Sequence, residues 1–175
     1  MKTKEIKISA VQLADAQALA LLSRFTWDET FGSLFESRRS VMNYLNRNFS
    51  IQNLISQIDD PEISFWFATL DGLPVGYAQL EMNAHSQFIP GESICRLRHI
   101  YILKDYQSTG IGTALWSAML EQSKDMGYEK MWLSVLNTHS HAKGFYEKKG
   151  FTFIEGFDMR IGVQRFDMDV MVKEL

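Results

Sequence analysis

A single cysteine, Cys95, stands in the whole chain. One thiol closes no internal disulfide and builds no cysteine zinc cluster, and it carries no mark of an oxidising compartment. Charge of one sign is equally scarce, with a net of −3. Without a basic excess the chain lacks the electrostatic footprint of a nucleic-acid partner. Long hydrophobic runs are also missing. No apolar stretch approaches the roughly 18 residues of a membrane-spanning helix, and Met1-Lys2-Thr3-Lys4-Glu5 is too polar for an export leader. The expectation is a cytoplasmic protein with no membrane partner. Repeats, linkers and low-complexity segments are absent from the sequence as well. What remains is 175 residues, 46% hydrophobic and 22% charged. That composition excludes disorder and suits one domain over 1–175 with a sizeable core.

Hydrophobic periodicity orders the chain. Ile6 and Ile8 alternate with lysines, so residues 5–10 read as a strand. From Leu13 the period turns helical through Ala16, Leu19, Ala20 and Leu22. A second amphipathic stretch covers residues 38–48, and Ser50 is placed to cap a third that ends at Asp59-Asp60-Pro61. Residues 63–70, the turn Asp71-Gly72 and residues 74–82 spell a hairpin. Strands follow at 94–103, 128–136, 151–157 and 167–172, with helices at about 110–126 and 138–149. This order predicts an α/β fold, a mixed sheet flanked by helices. Its late strand–helix–strand–helix–strand portion predicts parallel neighbours.

Gln107-Ser108-Thr109-Gly110-Ile111-Gly112 joins a strand to a helix. Glycines there let backbone approach a ligand, and the amides opening the helix favour an anion such as a pyrophosphate. A plain glycine turn has the same spacing. No G-K-[S/T] follows, and position 115 is Leu115, so neither a Walker loop nor a dinucleotide fingerprint is present.

Two blocks together carry a resemblance. Ile100-Tyr101-Ile102 with Gln107-x-x-Gly110-x-Gly112, then Leu133-x-Val135 with Ala142-x-x-Phe145-Tyr146-x-Lys148-x-Gly150-Phe151, resemble the acetyl-CoA signature of the GNAT N-acetyltransferase superfamily. The resemblance implies the GNAT acyltransferase fold and acetyl-CoA as co-substrate, with no metal. It implies that Ile100, Tyr101 and Ile102 pair with the pantetheine arm. It also implies that the loop Gln107, Ser108, Thr109, Gly110, Ile111, Gly112 and Thr113 holds the pyrophosphate. Tyr146 corresponds to the superfamily's proton donor to the departing thiolate; a phenol near pKa 10 can protonate a sulfur whose thiol pKa is about 8.5. Where the superfamily usually carries an asparagine on the CoA arm this chain has His139, with Asn137 two residues earlier as a substitute. His139 and His141 have no carboxylate or thiolate nearby in sequence to complete a metal site.

On the amine side, the strand positions where many superfamily members hold a glutamate base read Arg96, Leu97 and Arg98. His99, Glu92 and Glu81 are the remaining candidate bases, and an amine that arrives deprotonated needs none. Outside the signature, Thr26 to Phe31, Tyr44-Leu45-x-x-x-Phe49 and Gly91-Glu92-Ser93 are similar to the PaiA-type branch, which acetylates spermidine and spermine. The implied acceptor is a primary amine of a small molecule, a polyamine by this likeness, and homodimers are common among such proteins. Inward-facing Arg96 and Arg98 would instead suit an amino acid or peptide amine. A non-catalytic acyl-CoA-binding module that lost its base is the alternative from another class. Within the aromatic run Phe25, Trp27, Phe31 and Phe35, the i, i+4 pair Phe31 and Phe35 reads as core packing, and the resemblance implies that this region lines the acceptor cleft, with Trp27, Asp28 and Glu29 against the substrate.

Overall fold

Residue patterning accounts for most of the elements found. The computed structural model describes residues 5–175, so the polar segment 1–4 lies outside the described residues. The elements run β1 (Ile6–Ala10), α1 (Ala16–Phe31), α2 (Arg38–Asn48), α3 (Ile51–Ile58), β2 (Ile63–Leu70), β3 (Leu73–Glu81), β4 (Ile94–Ile102), α4 (Ile111–Asp125), β5 (Lys130–Leu136), α5 (Ser140–Lys148), β6 (Thr152–Ile161) and β7 (Gln164–Glu174). Seven strands form one mixed sheet in the order β1-β2-β3-β4-β5-β7-β6. By internal contacts the chain divides into two units. One takes residues up to Leu80 and His99–Met119; the other takes Glu81–Arg98 and Leu120–Leu175.

In the first unit, β1 runs antiparallel to β2, from Ile6↔Leu70 to Ala10↔Trp66. Leu19, Ala20 and Leu22 of α1, Leu54 of α3, Phe65 and Phe67 of β2 and Tyr77 of β3 form its core. The Ser50 hydroxyl accepts from the Asn53 amide at 3.3 Å and caps α3, as its position predicts. The first helix begins later than the periodicity suggests. Leu13–Asp15 is a short 3-10 turn and Leu13 is exposed, because the Asp15 carboxylate takes the Gln12 amide and closes a capping turn there. Gly76 of β3 has a specific role. A Cβ built there would lie 3.0 Å from the Tyr101 carbonyl oxygen and 3.1 Å from the Ile102 side chain, so only glycine admits this close approach.

In the second unit, β4 and β5 are parallel through Ile94↔Lys130, Cys95↔Met131 and Arg96↔Trp132. This ladder stops at Arg96↔Trp132, although β5 continues to Leu136 against β7. β7 is antiparallel to both β5 and β6. The expectation of parallel neighbours therefore holds for β4 and β5 and fails for β5 and β6. Those two run in the same direction, but β7 is inserted between them. The hairpin that returns β7 is the reason. Asp158, Arg160 and Arg165 make residues 158–166 look like a polar loop, yet they extend both strands, with Arg165 and Asp158 paired across the ladder. Ile94, Trp132, Val170 and Val172 fill the core beneath, and the Trp132 indole donates to the Ala84 carbonyl at 2.7 Å.

Replacing Gly76 with valine is expected to destabilise the fold by about 1–3 kcal/mol, because the nearest obstacle is a backbone carbonyl rather than a yielding side chain. Urea denaturation checks this. An unchanged midpoint would mean that β3 has room for a side chain at position 76.

Candidate functional site

The loop after β4 is built from local hydrogen bonds. Thr109 Oγ1 donates to the Tyr106 carbonyl at 2.6 Å, and the Gln107 side-chain amide donates to the Ile102 carbonyl at 3.3 Å. Ser108 and Gly110 take left-handed backbone, with φ of 60° and 92°. Gly110 has open space around it, so its backbone angle is what calls for glycine. The helical ladder of α4 starts with the Ala114 amide on the Gly110 carbonyl at 3.0 Å. The amides of Ile111, Gly112 and Thr113 fall in the first turn, where the helix dipole is positive. Residues 107–110 are exposed and Ile111 is buried, which anchors the helix start and leaves the turn at the surface. These features fit a phosphate-bearing ligand whose charge is met by backbone dipoles.

Ile100, Tyr101 and Ile102 close β4 and are half-buried. The Leu103 amide donates to the Val75 carbonyl at 2.9 Å, tying the strand's end to β3 within the same unit.

Tyr146 belongs to the second unit. It is 9% exposed on the last turn of α5, and burial pushes its phenol well above the ordinary tyrosine pKa. Its ring meets Phe145 at 5.5 Å and Phe151 at 5.8 Å, both edge to face. The spacing Tyr146-x-x-x-Gly150-Phe151 is a helix stop. Gly150 has φ of 89°, and the amides of Lys149 and Phe151 both donate to the Tyr146 carbonyl, at 3.0 and 3.1 Å. The buried Phe151 then packs against the ring it follows. Asn137 is exposed, with its amide on the Asp167 carbonyl. His139 is half-buried at the start of α5, and burial followed by the neighbouring His141 lowers its pKa.

The candidate bases differ sharply. Glu92 is exposed beside the β4 entry. Glu81 is committed: Arg96 reaches one of its oxygens at 3.4 Å and Arg98 the other at 3.7 Å. Arg96 also donates to Ser134 Oγ at 3.2 Å and lies over the Trp132 ring at 4.4 Å. Both arginines face this carboxylate within their own unit. Sequence reasoning missed Ser134 and Trp132 as their partners; the i, i+2 spacing of the arginines was the available signal. His99 is half-buried among aromatic rings, 5.0 Å from Tyr101 and 5.9 Å from both Tyr77 and Phe49. Cys95 is fully buried against Ser123, and burial pushes its thiol up to about 11, so it offers no thiolate nucleophile. Among the described residues no group of histidine, cysteine and carboxylate side chains could hold a metal. No described helix is long and apolar enough to cross a membrane.

Comparison with known proteins agrees with the motifs. The Acetyltransferase (GNAT) family pattern matches residues 20–151. An uncharacterized N-acetyltransferase of Mycobacterium bovis is 30% identical over 136 residues, covering 77% of this chain and 82% of that one. Another, from Lactobacillus delbrueckii, is 27% identical over 148 residues and 84% of each chain. The crystal structure of the PaiA N-acetyltransferase of Thermoplasma acidophilum in complex with coenzyme A superposes with a TM-score of 0.79 at 22% identity, over 98% of this chain and 99% of that one. With that fold, and a family pattern spanning both signature blocks, the chain belongs to the GNAT family and is an N-acetyltransferase that uses acetyl-CoA.

Proposed function

We propose that the protein moves an acetyl group from acetyl-CoA to the primary amine of a small molecule by direct attack. The observation that carries this is the opening of α4. A left-handed Gly110 supplies the carbonyl that starts the helix, and the turn that leads into it, residues 107–110, is exposed and suited to an anion. The PaiA relative holding coenzyme A supports the same assignment.

Acetyl-CoA supplies a thioester, an acyl carbon attached to a sulfur leaving group. The chain's residues do the rest. Ser108 to Thr113 bind the pyrophosphate through their amides, with Gln107 steadying the loop through the Ile102 carbonyl. The backbone of Ile100, Tyr101 and Ile102 aligns the pantetheine arm, and Asn137 and His139 hydrogen-bond along it. The amine nitrogen, once neutral, forms the new C–N bond as the C–S bond breaks; one proton then leaves it to water, replacing the one that Tyr146 gives to sulfur, and the proton that it carries as an ammonium leaves before the attack. His99 accepts that proton, since Glu81 already serves two arginines and Glu92 is solvated. Tyr146 Oη gives its proton to the departing sulfur. Its buried phenol stays protonated across the working range, which suits a donor.

The acceptor is the finer question. The PaiA likeness argues for a polyamine. An N-alpha-acetyltransferase of Sulfurisphaera tokodaii, 24% identical over 155 residues, argues for a peptide amine. Glu81 offsets part of the Arg96 and Arg98 charge, so these arginines no longer decide between them.

Two variants test the roles. Tyr146→Phe is expected to lower kcat by roughly 10²- to 10⁴-fold with little change in coenzyme A affinity. Unchanged turnover in a thiol-release assay would remove Tyr146 from the chemistry. His99→Gln is expected to lower kcat/KM most near neutral pH and to recover as pH approaches the amine's own pKa of about 10.4. A loss equal at every pH would assign His99 a packing role only.

A further inference from the structure

β6 is the last strand of the sheet, so its outer edge presents backbone groups that a further strand can pair. Residues 152–156, Asp158 and Arg160 are exposed, while Phe157, Met159 and Ile161 are half-buried. The register shifts between Phe153 and Glu155, which leaves residues 155–161 as the regular part of the edge.

Side chains alternate along this edge, so Asp158 and Arg160 share a face with their β7 neighbours Asp167 and Arg165. The register sets Asp158 opposite Asp167 and Arg160 opposite Arg165. One row across the hairpin is therefore doubly negative and the next doubly positive. The diagonal pair of Arg165 and Asp158 relieves part of that repulsion. A strand added outside β6 would relieve more if it brought the same two charges in reverse order.

β6 is itself such a strand when turned end for end. A two-fold axis normal to the sheet keeps every residue on its own face, so the axis passes through one residue and fixes the register. An axis at Asp158 or at Arg160 sets that charge directly against its own copy. An axis at Phe157 sets Asp158 against Gly156. An axis at Met159 sets Asp158 against the second copy's Arg160, and the reverse. On the other face the same axis sets Phe157 against the second copy's Ile161, and Met159 against itself. It also brings the hairpin tip, where Val163 is 97% exposed, beside the register shift, where Phe153 and Ile154 are 57% and 43% exposed. One register thus suits the charged face, the apolar face and the exposed apolar ends.

We propose that the outer edge of β6 is a self-association surface whose partner is a second copy of this chain, added antiparallel with Met159 on the two-fold axis. The two sheets then continue into one through main-chain hydrogen bonds. That homodimers are common among similar proteins names no surface; the charges at 158 and 160 select this edge and this register.

Sedimentation velocity of the full chain over micromolar concentrations tests this. The unaltered chain is expected to dimerise. Asp158→Arg sets arginine against arginine twice across the axis, and Arg160→Asp sets aspartate against aspartate twice. Each variant is expected to raise the dimer dissociation constant roughly tenfold or more. An equal mixture of the two variants restores opposite charges at both pairs and is expected to dimerise again, as a heterodimer. That recovery also shows that both variants fold. Met159→Cys is expected to cross-link to its own copy on mild oxidation, because the two side chains stand directly opposite and the native Cys95 is buried. Ile161→Cys, opposite Phe157, is expected to cross-link far more slowly. A monomer at every concentration overturns the proposal. So does a dimer that both charge variants leave intact, a mixture of natively folded variants that stays monomeric, or cross-linking as fast at position 161 as at 159.

Discussion

The first turn of α4 is the constraint on which the functional reading depends. A helix start leaves amides without helical acceptors, and here the start is set by a glycine at φ of 92° whose carbonyl takes the first ladder bond. Buried Ile111 and Leu115 anchor the start of the helix while the preceding turn stays at the surface. Thr109 and Gln107 bind backbone carbonyls of the same loop and fix its shape before any ligand arrives. An anion site made this way needs no lysine or arginine, which agrees with a chain whose net charge is −3.

In the second unit the proposed proton donor is also a structural residue. Tyr146 caps α5 through its carbonyl, is enclosed by Phe145 and Phe151, and is kept protonated by that enclosure. Arg96 and Arg98 show the converse economy. Their charges are met by one carboxylate, and Arg96 gains a hydroxyl and an indole face. The shared Glu81 keeps these guanidinium groups in place.

Much of this was legible from residues alone. The helix 38–48, the Ser50 cap and the strand 63–70 follow from periodicity and turn chemistry, and the structure places them where those rules put them. The loop 107–113 was readable because glycine and helix-start chemistry are local. What periodicity could not supply was pairing. The insertion of β7 between β5 and β6 depends on a hairpin whose charged, alternating residues mimic a loop. The ring contacts that surround His99 were out of reach for a similar reason. Trp27, the neighbours Tyr44 and Phe49, and His99 stand well apart in sequence, and only the packing of the chain joins their rings. Arg96 and Arg98 looked like charges awaiting a substrate because Glu81 sits 15 residues before Arg96.

The measurement that bears most directly on the central claim compares coenzyme A with pantetheine, which lacks the pyrophosphate, in the unaltered chain and in Gly110→Ala. A side chain at φ of 92° strains the turn by about 1–2 kcal/mol and displaces the amides that follow. The account predicts that coenzyme A affinity falls roughly tenfold in the variant while the weaker pantetheine affinity is unchanged. Equal losses for both ligands, or no loss for either, would contradict it.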